Sequence, residues 1–483
     1  MKASEISNNK TFEYFLEISS IPRESGNEEG MRQYLLSWAK KCGFEGLRDK
    51  AGNIIIRKPA TKGYENRKST ALQGHMDMVC VKREDSNHDF LKDPIKVVVD
   101  GDFLRAEDTS LGGDNGIAIA LTMALFTDKS AEHGPLEAIF TFGEETGLYG
   151  AFALDESLIN SRRMINLDSE EEGVIYIGCA GGVDVKGTLS VKREEIQDET
   201  KIEMKITGLK GGHSGGEIHL QRVNAISAAS RMMDALNRNN IEYRLVSFSG
   251  GSRRNVIPSS CSCEFLVKNE EAEKALYVLG AESESIRKEN SYEEPDFKTR
   301  LSSQEGVTAI AVCKEDSEKI IKALLIAPHG VYTNSYAVKG VVETSDNLAI
   351  ARLKEEAFSV EFSVRSLVDS AMKMLGRKIV IALELFGFRT AYEESYPAWT
   401  PDPSSSLAIF CAKAWEESTG KKAVLTSIHA GLECGVINSK IKGMDSVSIG
   451  PNLFDVHTVN EHLSISSTER MYGFVKTLLS LLD

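Results

Sequence analysis

Thr70-Ala71-Leu72-Gln73-Gly74-His75-Met76-Asp77 runs from a short apolar stretch into a histidine and an acid spaced two apart. A run of this length suits a buried strand, and strand side chains alternate with a period of two, so His75 and Asp77 project to one side where it ends. Similar runs lie at Asn53-Ile54-Ile55-Ile56, Ala138-Ile139-Phe140-Thr141 and Met164-Ile165-Asn166-Leu167, and an apolar helical stretch over 117–126 falls between the runs at 70 and 138. Ahead of them Asn27, Glu28-Glu29 and the spacing Met31, Leu35, Trp38, Cys42 read as an N-cap and an amphipathic helix. This is an α/β pattern, and polar residues gather where the runs give out, which is where an open α/β sheet has its ligand crevice.

From about Lys201 the pattern becomes half-buried strands, at 202–206 and 261–266, with helices at 222–236 and 270–288. A similar order recurs at 308–312, 317–325, 349–352, 358–364 and 370–386, which predicts two fused α+β units. The Pro-rich segment Ser395-Tyr396-Pro397-Ala398-Trp399-Thr400-Pro401-Asp402-Pro403 is a connector, and a helix near 407–417 and a strand at 446–449 resume the first style. The expected division is therefore 1–190 and 391–483 as one domain, with 191–390 inserted. At 483 residues the chain is long enough for two cores.

With 57 Lys+Arg against 71 Asp+Glu the net charge is −14, and no basic block is present of the kind that tracks phosphates, so nucleic acid is an unexpected partner. The start lacks an apolar signal core and no stretch reaches the length of a bilayer span, so a cytoplasmic protein with no membrane partner is expected. Eight cysteines spread over this length do not make a disulfide framework, and all are expected to be buried thiols.

The polar segments carry the chemistry. His75 can hold a metal while Asp77 accepts its free ring N–H and fixes its tautomer. Glu144 and Glu145 in Phe142-Gly143-Glu144-Glu145-Thr146-Gly147 diverge in extended geometry, so one can bind metal while the other faces a water; the ordinary alternative is a solvated acidic turn. Asp114, in Gly113-Asp114-Asn115-Gly116, is by itself a plain N-cap, but a carboxylate can also give one oxygen to each of two cations ~3.5–4 Å apart. Asp168 and His457 end an apolar run and a short loop. Together the set offers two histidines and several carboxylates, a mixture that suits zinc and also accepts manganese or cobalt.

The series GHMD (74–77), GGDNGIA (112–118), FGEETGLYGA (142–151), NLDSEEEG (166–173), GGHSGGEIH (211–219), FSGGSRRNVIP (248–258), SIHAGLECG (427–435) and SIGPNLFDVHTVNEHLSI (448–465) resembles the aminoacyl-histidine (Xaa-His) dipeptidases, within the two-metal exopeptidases and deacylases. The resemblance covers nearly the whole chain. It implies that His75, Asp168 and a bridging Asp114 serve one metal, that Glu145, His457 and the same Asp114 serve the other, and that Glu144 is the general base. It also implies a cis peptide at Asp114-Asn115. His213 is implied to reach the oxyanion, with Asn255 and Arg365 binding the substrate, the latter at its carboxylate. The fold class implied is α/β, a mixed-sheet three-layer catalytic domain with an inserted α+β lid built as a doubled ferredoxin-like unit.

The expected activity is that of a metallodipeptidase acting on Xaa-His and other short dipeptides, with a water activated between two metal ions. An N-acyl amino acid deacylase or a tripeptidase would use the same centre. A noncatalytic metal-dependent binding protein is the alternative from another class, and the intact Glu144 argues against it. A homodimer is expected.

Overall fold

A computed structural model describes Ile6 and residues 9–483, which divide into two units. The first holds Met1–Cys179, Trp399–Ser427 and Leu432–Asp483. Its eight-stranded sheet runs Glu45–Arg48, Ile54–Lys58, Leu136–Thr141, Thr70–His75, Arg163–Asn166, Asp445–Ser448, Val174–Cys179, Val424–Ile428. The four strands from Leu136–Thr141 to Asp445–Ser448 are mutually parallel, while the Glu45–Arg48 end is antiparallel. Every residue of Thr70–His75, Leu136–Thr141 and Arg163–Asn166 is buried, as expected of parallel strands covered on both faces. Helix Gly113–Thr127 is apolar nearly all round and packs on Thr70–His75 and against Lys10–Ser19, the pattern of a helix inside a core rather than on it.

A four-stranded sheet, Leu453–Phe454, His462–Ser464, Phe103–Ala106, Val97–Asp100, completes this unit. It joins the end of the chain to the segment that leads into Asp114. The 455–461 loop, with His457 and Glu461, hangs from its first two strands.

The second unit holds Ala180–Ala398 and Ile428–Gly431. Its nine-stranded sheet runs Lys298–Val312, Arg193–Thr207, Cys261–Val267, Arg244–Gly250, Val342–Leu353, Ala357–Ser366, Gly181–Ser190, Arg389–Tyr396, with Gly330–Asn334 paired to Val342–Leu353. The expected repeats share this sheet but are not its two halves: the strand at 308–312, expected to open the second copy, pairs with Arg193–Thr207 of the first, and Ser249↔Arg352 with Gly250↔Ala351 joins the halves. They are not separate cores, because one apolar cluster takes Phe248 and Phe265 from one half and Phe358 and Ile379 from the other. Gly181–Ser190, which a division near 190 assigns to the first unit, pairs on both sides with strands of the second.

Two local expectations need correction. Glu28, not Asn27, precedes helix Glu29–Cys42, and it makes no side-chain cap; its carboxylate instead accepts from Gly26 N and Gly143 N. No disulfide is formed, but Cys42 is exposed and Cys80 and Cys313 are part-exposed, not buried as expected. No described helix is long and apolar enough to cross a membrane.

Candidate metal centre

His75 closes its strand, and its ring meets Asp114 Oδ1 at 3.1 Å and Asp168 Oδ1 at 3.4 Å through Nε2. His457 Nε2 lies 3.2 Å from Asp114 Oδ2 and 3.0 Å from Glu145 Oε2. Asp114 therefore offers one oxygen to each histidine. Three donor sets, His75/Asp114/Asp168, His75/Glu144/Glu145 and Asp114/Glu145/His457, each have their ligand atoms within 4.8 Å of one another.

The backbone explains why Asp114 is free for this. The helix that it opens is not yet helical at Asp114 (φ −80°, ψ 111°) or Asn115 (φ −114°, ψ 31°), so the carboxylate does not cap the helix. The Asp114-Asn115 bond is cis. Asn115 Oδ1 accepts from His75 N and its Nδ2 donates to Leu167 O, tying the ends of two neighbouring strands together. Gly74 is required there, since a Cβ would run into Asn115 Oδ1 and lie 2.7 Å from Ala118 Cβ. His457 itself has a left-handed backbone (φ 61°), a conformation costing about 1–3 kcal/mol in a non-glycine residue and common where function fixes the chain.

Asp77 is buried behind His75, 3.4 Å from its Nδ1. Its oxygens also accept from Glu144 N, Glu145 N and Ser25 Oγ, so one carboxylate braces both the histidine and the acidic turn. Burial alone would raise Asp77, but His75, Ser25 and the Glu144 N–H outweigh it and hold it at about 2.

The titration directions reveal an excess of acid. Burial pushes Asp168 up to about 8, His75 opposing and Asp114 and Glu433 adding repulsion. Burial likewise raises Glu144 well above its ordinary value, against His75 and with Asp168, Glu433 and Glu145. Burial would lower His75, but Asp168, Asp114 and Asp77 hold it well up, and Asp114 and Glu145 raise His457 to about 11. Asp114 stays low despite burial because both histidines bond to it. Protons here balance carboxylates crowded between two imidazoles, and divalent cations would balance them at the same atoms. The residues present fit such ions.

Several functional neighbours carried no role in the sequence reading. Glu461 accepts from Leu111 N, Gly112 N and Asp114 N at 2.7, 3.0 and 3.2 Å. Glu433 is fully buried and accepts from Gln73 Nε2 and Thr141 Oγ1. Both lay inside motifs already singled out, which was the available signal. Arg23 had none.

In the second unit, strand Gly212–His213 pairs antiparallel with Val256–Ile257, and Ser214 N donates to Asn255 O, which puts His213 and Asn255 on one short ribbon. His213 Nδ1 accepts from Gly215 N and Gly216 N at 3.3 and 2.9 Å, so the neutral ring carries its proton on Nε2. Partial desolvation of an otherwise exposed residue, and then Arg365, keep that imidazole below its ordinary value. Arg365 is 9% exposed and donates to Tyr396 Oη at 2.7 Å, while its Nε has no partner. A Cβ on Gly215 would lie 2.5 Å from His429 O, 3.1 Å from His213 Cε1 and 3.4 Å from Arg365 Cζ, so these residues crowd around one glycine.

A carboxylate shared between two three-donor sets beside an α/β sheet is an arrangement that can hold a pair of metal ions. The chain matches peptidase family M20/M25/M40 over residues 71–481, and it belongs to that family. It is 37% identical over 478 residues to the cytosol non-specific dipeptidase of Escherichia coli, covering 99% of this chain and 98% of the relative. Its structure is similar to that of the aminoacylhistidine dipeptidase of Vibrio alginolyticus, with a TM-score of 0.94, 36% identity and coverage of 100% and 98%. The aminopeptidase PepT of Bacillus cereus shares the fold alone, with a TM-score of 0.58 at 17% identity over 98% of each chain.

Proposed function

We propose that this chain is a cytoplasmic metallodipeptidase that hydrolyses Xaa-His and other short dipeptides, with two divalent cations, zinc in preference to manganese or cobalt. The observation that carries the reading is Asp114 standing between His75 and His457, at 3.1 and 3.2 Å, with a further acid, Glu144, 4.0 Å from His75 Nε2. His75 and Asp168 would hold one cation, Glu145 and His457 the other, and Asp114 both. When bound, the cations would polarise the scissile carbonyl and lower the pKa of water.

The chain's own residues then have distinct work. Glu144 takes the proton of the attacking water and returns it to the leaving amine. Asp77 keeps the His75 ring in one tautomer and the 144–145 turn in one orientation. In the second unit, proposed as the lid, His213 donates Nε2–H to the developing oxyanion, Asn255 adds a polar contact, and Arg365 takes the peptide carboxylate. The relatives' names, a cytosolic dipeptidase and an aminoacylhistidine dipeptidase, support the substrate class and the compartment. A homodimer is part of the same reading, tested by light scattering.

Metal analysis coupled to a substrate panel tests the proposal. Ala-His and other dipeptides should turn over well ahead of an N-acetyl amino acid or a tripeptide. Preference for either of those moves the reading to a deacylase or tripeptidase, and metal binding without hydrolysis of any dipeptide overturns it.

A further inference from the structure

Arg23 lies between the first two helices and is 2% exposed. Nη1 donates to Met76 O at 3.2 Å and Asp77 O at 2.8 Å, and Nη2 donates to Gly112 O. All of these acceptors are carbonyls, in the two segments that present His75 with Asp77 and Asp114. Glycines make room for it: a Cβ at Gly112 would lie 2.5 Å from Nη2, and one at Gly116 2.7 Å. Glu461 holds the same loop from its amides, at Leu111, Gly112 and Asp114. The approach to Asp114 is thus gripped at a carbonyl by a cation and at its N–H groups by an anion.

We propose that Arg23, with Glu461 opposite, is a positioning residue that sets Asp114 and His75 at the separation needed to share metal ions. The proposal rests on the reading that these donors hold divalent cations. Two effects of Arg23 oppose each other. Its charge faces Asp77 and Asp114 and repels incoming cations, so its loss would tighten binding; its planar fork spans three carbonyls, and its loss would loosen the ligands. A lysine keeps the charge but cannot span the carbonyls. Loss of groups that orient metal ligands weakens metal binding about 10- to 100-fold, and positioning is the effect expected to win.

The test titrates zinc alone into demetallated full-length protein in competition with a chromogenic chelator, for wild type, Arg23→Met, Arg23→Lys and Gly116→Ala, with circular dichroism and melting of each metal-free form. The proposal expects zinc affinity about 10- to 100-fold weaker in both Arg23 variants. Gly116→Ala, which pushes on the guanidinium while keeping it, should weaken binding in the same direction and answers the question if Arg23→Met does not fold. Lower melting of the metal-free variants with unchanged zinc affinity would reduce Arg23 to a structural role, and tighter binding by Arg23→Met would make charge the dominant effect; either overturns the proposal. A wild type that binds no zinc sinks the metal centre and this inference with it, whereas normal wild-type binding beside unchanged variants sinks only the inference.

Discussion

The two units use polar side chains in opposite ways. In the first, His75, Asp77 and Glu433 are buried, and the loops that carry the donors are braced by Asp77 and Asn115, each bonding to more than one segment, and by Glu461, which accepts from three amides of the 111–114 loop. In the second, of the three proposed substrate-binding residues, His213 and Asn255 stand exposed on a ribbon of two-residue strands and Arg365 is buried. Most groups that hold concentrated charge at fixed separations are caged beside a parallel sheet, with His457 on an exposed loop closing the set, while groups that would meet an arriving peptide sit on short, open elements. The lesson is that precision costs burial and bracing, whereas recognition needs access.

The largest expected effect lies in the first unit. Glu144→Gln should keep its bound metal, since the other donors remain, and lose about 10²- to 10⁴-fold in turnover of Ala-His; near-normal turnover would remove Glu144 as the base. In the second unit, Arg365→Ala should leave metal content unchanged and cost about 1.5–3 kcal/mol, roughly 10- to 100-fold in kcat/KM and mostly in KM, as one charged hydrogen bond to the substrate is lost. Steady-state kinetics with metal analysis separates the two, and loss of metal from Arg365→Ala would erase the proposed division of labour.

A smaller effect is expected from Gly74→Ala. The added methyl meets Asn115 Oδ1 and Ala118 Cβ, an overpacked contact worth about 1–3 kcal/mol, and thermal unfolding should fall accordingly. The smallest is a pH dependence in the second unit. Burial holds His329 at about 4, and holds His429 at about 3 with help from Arg365 and His213. Unfolded histidines bind protons below about 6.5 while these folded ones do not, so this part of the stability is complete above that pH and is lost as pH falls through 6.5 toward 4 and 3. Denaturant midpoints between pH 7 and 4 should drop, and replacing both histidines with glutamine should flatten that drop.

Much of the first unit was legible because its signals are local. Runs such as Thr70–His75 and Leu136–Thr141 are short and apolar, and the donors sit at or just beyond their ends. What stayed hidden depends on distance in the fold. Arg23 has no pattern around it, and its meaning appears only when Gly112 O and Asp77 O arrive beside it. The N-cap reading of Asp114 failed for the same reason, since the backbone at 114–115 departs from the helix and local propensity carries no trace of that. In the second unit a fused repeat was readable, but not that the strand at 308–312 pairs back onto Arg193–Thr207 within one sheet and one core, because strand pairing leaves no period in the sequence.

The most direct test of the shared carboxylate is metal stoichiometry by native mass spectrometry, with Ala-His turnover measured on the same wild-type and Asp114→Ala preparations. Two divalent cations per wild-type chain, with both the pair and the activity lost in Asp114→Ala, is the predicted result. A wild type fully active with one cation or none, or an Asp114→Ala chain that keeps two cations and its turnover, would contradict it.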